Sequence, residues 1–166
     1  MEEGKLREAM DQALHLAKQA ALEDEVPEGA IVLDPTGKSI GSGYNRREQD
    51  FDPCSHAEIH ALQEAARTLR SWRLVDCTLV VTLEPCPMCL SAAQHARIRT
   101  LVYSAQDSKG GALSLGYRLH EDPRTHHRFR VQRMEVPECG TILSEFFRKK
   151  RRPSGESDSS PVPSSQ

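Results

Sequence analysis

The arrangement of apolar segments predicts an α/β fold in which helices cover a layered sheet. Two short runs, CTLVVT (77–82) and TLVYSA (100–105), have the length and composition of buried strands. Segments with helical spacing of apolar residues come before, between and after them, so strands alternate with helices. Because a helix that connects neighbouring strands makes them parallel, we expect parallel pairing in that part of the sheet. The length of 166 residues fits a single domain.

The first part of the chain predicts a helix followed by a hairpin. Apolar residues recur at helical spacing over about residues 5–22, which predicts an amphipathic helix. The runs AIVLD (30–34) and SIGSGYN (39–45) lie on either side of the turn cluster PTGK (35–38). These segments predict two strands joined by a tight turn.

A second helix is predicted to begin beside Ser55 and to continue to about Arg70. Asp52 precedes Pro53, and a proline holds the residue before it in an extended conformation, so the helix cannot start earlier. Ser55 is suited to cap the helix, and Glu58, three positions later, would complete a capping box.

The second half of the chain predicts a third helix, a further strand and a closing helix. CPMCLSAAQHARI (86–98) predicts a helix with Pro87 in its first turn. FRVQRMEV (129–136) predicts a strand, and PECGTILSEFFRKKRR (137–152) predicts the last helix. The segment 105–127 lacks clear periodicity and predicts a long loop with one short helical piece. The whole gives a sheet of about five strands.

The predicted domain covers residues 1–152, and a Ser/Pro-rich tail follows. Serine, proline and glycine occupy ten positions of 153–166, so we expect this segment to be disordered. The net charge of −2 is unevenly distributed, because residues 1–28 carry −5 (three bases minus eight acids) and residues 29–152 carry +5. Five consecutive basic residues at 148–152 could meet phosphates or form a solvated helix end.

The sequence also indicates the cellular compartment in which the protein is expected. No run of about 18 apolar residues is present to span a membrane. The acidic, helical N-terminus is not a secretory signal, so we expect a cytoplasmic location without membrane partners. Five cysteines, an odd number, argue against a disulfide framework and for reduced thiols.

Two fragments, HAE (56–58) and PCPMC (85–89), place chemically reactive side chains at the starts of two predicted helices. Cys86 and Cys89 are three residues apart, so they lie on one helix face and can hold one ion. A helix N-terminus favours the thiolate that a metal needs. With His56 the set supplies three ligands and leaves the fourth tetrahedral position open, as catalytic zinc sites do.

Glu58 would then carry protons rather than bind the metal. It could take a proton from an activated water and hand it to a leaving amine, which suits hydrolytic deamination. Each piece alone has a simpler interpretation: a core histidine, a redox pair of thiols, a capping carboxylate. Together, H-x-E followed by P-C-x-x-C after a helix and a strand is specific for zinc-dependent nucleobase deaminases.

Further motifs are VPEGA (26–30), GYN (43–45), DPCSHAEIHAL (52–62), VTLEPCPMC (81–89), HARI (95–98), DSKGGA (107–112) and SEFFRKKRR (144–152). With them, the chain resembles the bacterial tRNA adenosine deaminases, within the cytidine deaminase-like superfamily, over about residues 5–152. The resemblance implies a three-layer α/β/α sandwich, a homodimer and one zinc ion per chain. It also implies conversion of the anticodon wobble adenosine to inosine, with tRNA or another single-stranded nucleic-acid loop as the partner.

The resemblance implies zinc ligation by His56, Cys86 and Cys89, proton transfer by Glu58, and contact between Asn45 and the target nucleotide.

Five further residues are predicted to border the substrate. The backbone at Leu83 and Glu84 should line the pocket, and Asp107, Phe147 and Arg148 are the remaining expected contacts.

Departures from the family pattern cluster near the expected substrate. Cys54-Ser55 stand where the family commonly has a small pair such as Thr-Ala, and Glu28 replaces a residue that is usually hydrophobic. Ser114-Leu115 and His126-His127 also differ from the usual Gly-Ser and Asn-His. A carboxylate at position 28 would change base choice or repel phosphate.

Two rival functions remain open on the residues alone. One is deamination of a free base or nucleoside, of guanine or cytosine type, or of single-stranded DNA. The other is a zinc-binding scaffold or inactive partner subunit, which would be expected to lack a carboxylate at the position of Glu58. The basic run at 148–152 favours RNA over a small molecule.

Overall fold

The computed structural model describes residues 1–151, and its elements follow the predicted order. They are α1 (Glu3–Leu22), β1 (Gly29–Leu33), β2 (Ser39–Tyr44), α2 (Ala57–Leu69), β3 (Thr78–Leu83), α3 (Pro87–His95), β4 (Thr100–Ala105), β5 (Arg130–Arg133) and α4 (Pro137–Arg151), with a short 3-10 turn at Leu119–Glu121 between β4 and β5.

The five strands form one mixed sheet in the order β2-β1-β3-β4-β5. β1 is antiparallel to both β2 and β3, as the predicted hairpin requires on one side. β3, β4 and β5 are parallel, and α3 makes the crossover between β3 and β4. The prediction of a mixed sheet of about five strands is therefore confirmed.

Helices cover both faces of this sheet, which gives the three layers expected of an α/β/α sandwich. α2 and α3 pack on one face, where Ala61 and Leu90 join strand residues in one buried cluster. α1 and α4 pack on the other face in a second cluster that contains Met10 and Cys139. Glycine in β2 lets α2 come close, since a Cβ at Gly43 would lie 2.6 Å from the Ala57 carbonyl oxygen.

Three local predictions are corrected. The capping box is wrong, because His56 is the N-cap of α2 and no side chain caps it. The last predicted strand is shorter than 129–136, because the Val136 amide donates to Ser104 Oγ (2.8 Å) instead of joining the ladder. The third helix, predicted over 86–98, ends at His95, and Arg97 beyond it has a left-handed φ of 63°.

Within residues 1–151, no helix combines the length and the apolar character that crossing a bilayer would require. The predicted disorder of 153–166, together with Arg152 of the basic run, lies outside the described residues.

Candidate active site

Two helix N-termini meet at one edge of the sheet and bring three metal-binding side chains together. His56 is the N-cap of α2, Cys86 is the N-cap of α3, and Cys89 lies in the first turn of α3. His56 Nδ1 lies 3.7 Å from Cys86 Sγ and 3.6 Å from Cys89 Sγ. All three ligand atoms lie within 4.8 Å of one another.

This geometry fits a tetrahedral zinc ion. Zinc binds imidazole nitrogen at about 2.05 Å and thiolate sulfur at about 2.3 Å, so tetrahedral angles separate a nitrogen from a sulfur ligand by about 3.6 Å. The observed separations of 3.6 and 3.7 Å match that value. A nitrogen and two sulfurs are also the donor set that zinc prefers, and they leave one position of the tetrahedron for water.

The two thiols share their protons unequally. The hydrogen bond from Cys89, followed by one from His56, lowers the pKa of Cys86 to about 4. The same bond, together with burial, raises the pKa of Cys89. The surroundings therefore favour the thiolate form of Cys86 over that of Cys89, and a metal that needs both sulfurs as thiolates would release the Cys89 proton on binding.

Glu58 lies in the first turn of α2, two residues beyond His56, and is completely buried. Neither of its carboxylate oxygens has a hydrogen-bond partner among the described residues. An isolated buried carboxylate is strongly unfavourable, so a folded protein keeps one only where another group, such as a substrate or water, will meet it. A buried, unpartnered carboxylate two residues along α2 from the His56 ligand is what an active-site acid/base requires.

Ser55 supports this site in a different way from the predicted cap. Its hydroxyl donates to Asp50 Oδ2 (2.7 Å) and lies 2.6 Å from His60 Nε2. The loop before His56 is thereby fixed to the second turn of α2. Sequence reasoning missed this link, because it joins residues five positions apart through a loop rather than through a repeating pattern.

Asn45 is buried at the end of β2, on the same face as Gly43, and so on the side of α2. Its side-chain amide donates to the Val26 carbonyl (3.2 Å), and its Oδ1 accepts from the Arg47 amide (3.2 Å). Asn45 also lines a cleft of about 710 Å³ to which Phe147 contributes. The structure thus brings together two of the predicted substrate contacts.

The other predicted contacts are dispersed. The side chain of Leu83 packs in the cluster on the α1 face, which leaves only its backbone for a substrate. The buried Glu84 carboxylate accepts from the Ser114 amide (2.9 Å) and the Asp107 amide (3.3 Å) and so fastens the loop after β4. Arg148 is exposed near the end of α4. Substrate contact by these residues stays a prediction.

Glu28 is the most unusual side chain near the ligand atoms. It directly precedes β1, on the same face as Ala30, and its backbone carbonyl accepts from the Asn45 amide (3.1 Å). The side chain is only 7% exposed, and it forms no hydrogen bond or ion pair within residues 1–151. Burial raises the pKa of the Glu28 carboxyl to about 7, and the charges of His56 and Cys86 are close enough to contribute.

Glu25 is a structural residue of the site that sequence reasoning counted only as one acid of the N-terminal segment. Its buried carboxylate accepts hydrogen bonds from the backbone amides of Glu48 (2.8 Å) and Gln49 (3.3 Å). It therefore holds the loop between β2 and α2. No local sequence signal marks it, since both partners lie more than 20 residues away.

Fold and site together define a zinc-dependent deaminase. Residues 3–105 match the family described as the cytidine and deoxycytidylate deaminase zinc-binding region. The tRNA-specific adenosine deaminase of Haemophilus influenzae is 39% identical over 157 residues, which are 91% of each chain. The chain belongs to this zinc-binding deaminase family, in the group of the tRNA-specific adenosine deaminases.

Other relatives mark the range of the fold. The chain is 46% identical over 159 residues to the tRNA(Ile)-lysidine synthase of Deinococcus radiodurans but spans only 27% of that protein's length. A solved structure from work on A-to-I editing by tRNA:A34 deaminases at the wobble position has a TM-score of 0.75 at 38% identity and covers 84% of this chain and 99% of its own. A guanine deaminase from Nitrosomonas europaea has a TM-score of 0.68 at 26% identity and covers 83% and 82%.

Proposed function

We propose that this protein hydrolyses the amino group of adenosine to give inosine, at the wobble position of a tRNA anticodon. The observation that supports a hydrolytic deaminase most directly is the fully buried, unpartnered Glu58 carboxylate, two residues along α2 from His56 of the metal-binding cluster. The relatives that deaminate tRNA, which align with nearly the whole chain, support the choice of substrate.

In this proposal, His56, Cys86 and Cys89 hold one zinc ion per chain. When bound there, zinc supplies the Lewis acidity that makes a water molecule nucleophilic near neutral pH. Glu58 would take one proton from the attacking water molecule while the water oxygen forms a bond to the purine carbon that carries the amine. Glu58 then gives the proton to the amine, the carbon–nitrogen bond breaks, and ammonia leaves. No described side chain or backbone group competes for the Glu58 carboxylate, which leaves it available to the reacting groups.

The target base has to leave its stack to reach this buried carboxylate. Asn45 is proposed to orient the base, and Phe147 to border the nucleotide in the cleft of about 710 Å³ that both residues line. The backbone at Leu83 and Glu84 and the side chains of Asp107 and Arg148 remain proposed substrate contacts, without an observation that tests them.

A product assay with Glu58 as the internal control tests this function. The zinc-loaded protein is incubated with a tRNA that carries adenosine at the wobble position, and nucleosides from the digested RNA are separated to measure inosine. The wild type should form inosine, and the Glu58→Ala variant should not. A wild type that binds zinc but deaminates no adenosine in RNA would refute the proposal.

A deaminase of free guanine is the second candidate, because of Glu28. A carboxylate oxygen accepts hydrogen bonds, and guanine carries N–H donors at N1 and N2 where adenine has none. Glu28 is buried without a protein partner close to the proposed ligands, so it could accept such a donor. Release of ammonia from guanine, and none from the RNA, would select this candidate.

The family likeness further supports a homodimer, which we also propose. Leu115 and Tyr117 are half exposed, and Tyr117 borders a cleft of about 820 Å³ beside Pro87 and Leu90. These apolar groups offer one surface for a second copy, and sedimentation of the purified chain would measure the association.

We propose one catalytic domain over residues 1–152. If tRNA is the substrate, this protein would act in the cytoplasm.

A further inference from the structure

Phe51 is an aromatic side chain that the folded chain holds almost wholly in solvent. It is 95% exposed, and it lies in the loop between β2 and α2, five residues before His56. A phenylalanine normally buries its ring, because leaving the ring in water forfeits roughly 1.5–3 kcal/mol of apolar burial. The exposed ring at this place therefore needs an explanation other than folding.

The backbone at Phe51 is also strained. Its φ of 49° lies in the left-handed region, where bulky residues other than glycine are outliers. Such conformations persist only where the surroundings fix them, and they cluster at functional sites. Exposure and backbone strain are separate observations, and both point to this residue.

The surroundings do fix the loop. On one side, Asp50 accepts from Ser55 (2.7 Å) and pairs with Arg46 (3.3 Å). The Asp52 amide donates to the Arg47 carbonyl (3.2 Å) across the turn that contains Phe51. Hydrogen bonds and an ion pair therefore hold the turn that carries the Phe51 ring in one conformation.

The neighbours of Phe51 decide what kind of group can cover it. The ring is isolated among charged side chains, the acids Glu48, Asp50 and Asp52 and the bases Arg46 and Arg47, so it is not part of an apolar patch of the size that protein contacts use. A single ring face instead matches a single nucleobase, which stacks on aromatic side chains regardless of its identity. The loop that carries Phe51 leads directly into His56, the N-cap of α2, so the ring lies five residues along the chain from the ligand cluster.

We propose that Phe51 stacks on an unpaired base that neighbours the target nucleotide in the RNA. This inference rests on the proposed RNA deaminase function and adds the residue that holds the flanking base. Phe51 takes no part in the chemistry, so it should act on RNA binding and not on the turnover of the bound base.

The test compares two exposed aromatic residues at opposite ends of α2. Trp72 follows the C-terminus of α2, about 20 Å from its start by helix length, and is 56% exposed. Phe51→Ala and Trp72→Ala are assayed on an anticodon stem-loop with a wobble adenosine. Loss of one base–aromatic stack should raise KM for Phe51→Ala roughly 5- to 150-fold with kcat nearly unchanged. Trp72→Ala should have the KM and kcat of the wild type. Phe51→Trp, which keeps an aromatic ring at this position, should also keep the wild-type KM.

Further variants separate binding from folding. Phe51→Gly accepts a positive φ, so its melting temperature should equal or exceed that of the wild type while KM rises. A KM for Phe51→Ala within twofold of the wild type would overturn the inference. So would a change in association state on sedimentation, which would identify the ring as a contact between copies. A wild type inactive on RNA would instead refute the proposed function, and this inference with it.

Discussion

Substituting Glu28 by glutamine should make the stability of this protein less sensitive to pH. The carboxyl is 7% exposed without a hydrogen-bond partner among residues 1–151, and burial is the largest cause that raises its pKa from 4.5 to about 7. An acid whose pKa is higher in the folded state loses its proton first in the unfolded chain. Its contribution is therefore neutral below pH 4.5 and increasingly destabilising as the pH rises toward 7.

The size of the effect follows from the two pKa values. Integrating the proton linkage between 4.5 and about 7 gives a destabilisation of about 1 kcal/mol at pH 5 and about 3 kcal/mol at pH 7. Glutamine has nearly the same shape and does not ionise. The free energy of unfolding of Glu28→Gln relative to wild type should therefore rise by about 2 kcal/mol between pH 5 and pH 7.

Urea unfolding of the metal-free proteins at pH 5, 6, 7 and 8 measures this difference, because a cation bound at His56 and Cys86 would itself lower the pKa of Glu28. The change in this free-energy difference from one pH to the next is the quantity of interest, because any effect of the glutamine amide that does not depend on pH is the same at each pH and cancels. Glu25→Gln is the matched control, because it changes an equally buried carboxylate that accepts two backbone hydrogen bonds, and it should destabilise the fold. A difference for Glu28→Gln that stays constant from pH 5 to 8 would refute the argument.

Four further predictions test the site and its support. Elemental analysis should find about one zinc per chain, and Cys89→Ala should lose most of it, since two ligands hold the ion far less tightly. Glu58→Ala should keep zinc and lower kcat by about 10²-fold or more, and retention of wild-type turnover would contradict the proton-transfer role. Replacing Arg148 and Lys149 by Gln should weaken RNA binding and reduce its salt dependence by about two counterions, whereas an unchanged slope of affinity against salt would remove them from the interface. Gly43→Ala should lower the melting temperature, because its Cβ would lie 2.6 Å from the Ala57 carbonyl oxygen, and an unchanged temperature would show that α2 can move away.

The sequence predicts those features of the fold that depend on local pattern. The strand TLVYSA was predicted over residues 100–105, which are the bounds of β4, because a short apolar run has few alternatives in an α/β chain. Pro87 lies in the first turn of α3, since a proline at the start of a helix loses no hydrogen bond. The ligand cluster follows from the same kind of information, because Cys86 and Cys89 share a helix face.

Features that depend on tertiary partners could not be predicted in this way. Ser55 has the composition of a helix cap, yet it bonds to Asp50 and His60, and only the folded loop supplies those groups. Lys150 belongs to a basic run for which the pattern alone predicts either phosphate contact or a solvated helix end, yet its Nζ lies 2.6 Å from Asp24 Oδ1. That pairing is why the salt-slope experiment is limited to Arg148 and Lys149.

The distribution of unsatisfied groups distinguishes an enzyme from a scaffold. Within residues 1–151, the buried side-chain atoms without a hydrogen-bond partner are both carboxylate oxygens of Glu58 and His120 Nδ1, whereas the carboxyl of Glu28 is 7% exposed as a residue and forms no side-chain hydrogen bond. A protein that only stored or displayed zinc would gain stability by replacing both glutamates, since neither is needed as a ligand beside His56, Cys86 and Cys89. Natural sequences break the rules of satisfied burial mainly where function requires it. Glu58 is such a violation two residues from a metal ligand, in a fold whose buried carboxylates Glu25 and Glu84 accept hydrogen bonds, and it indicates a site held ready for a polar substrate.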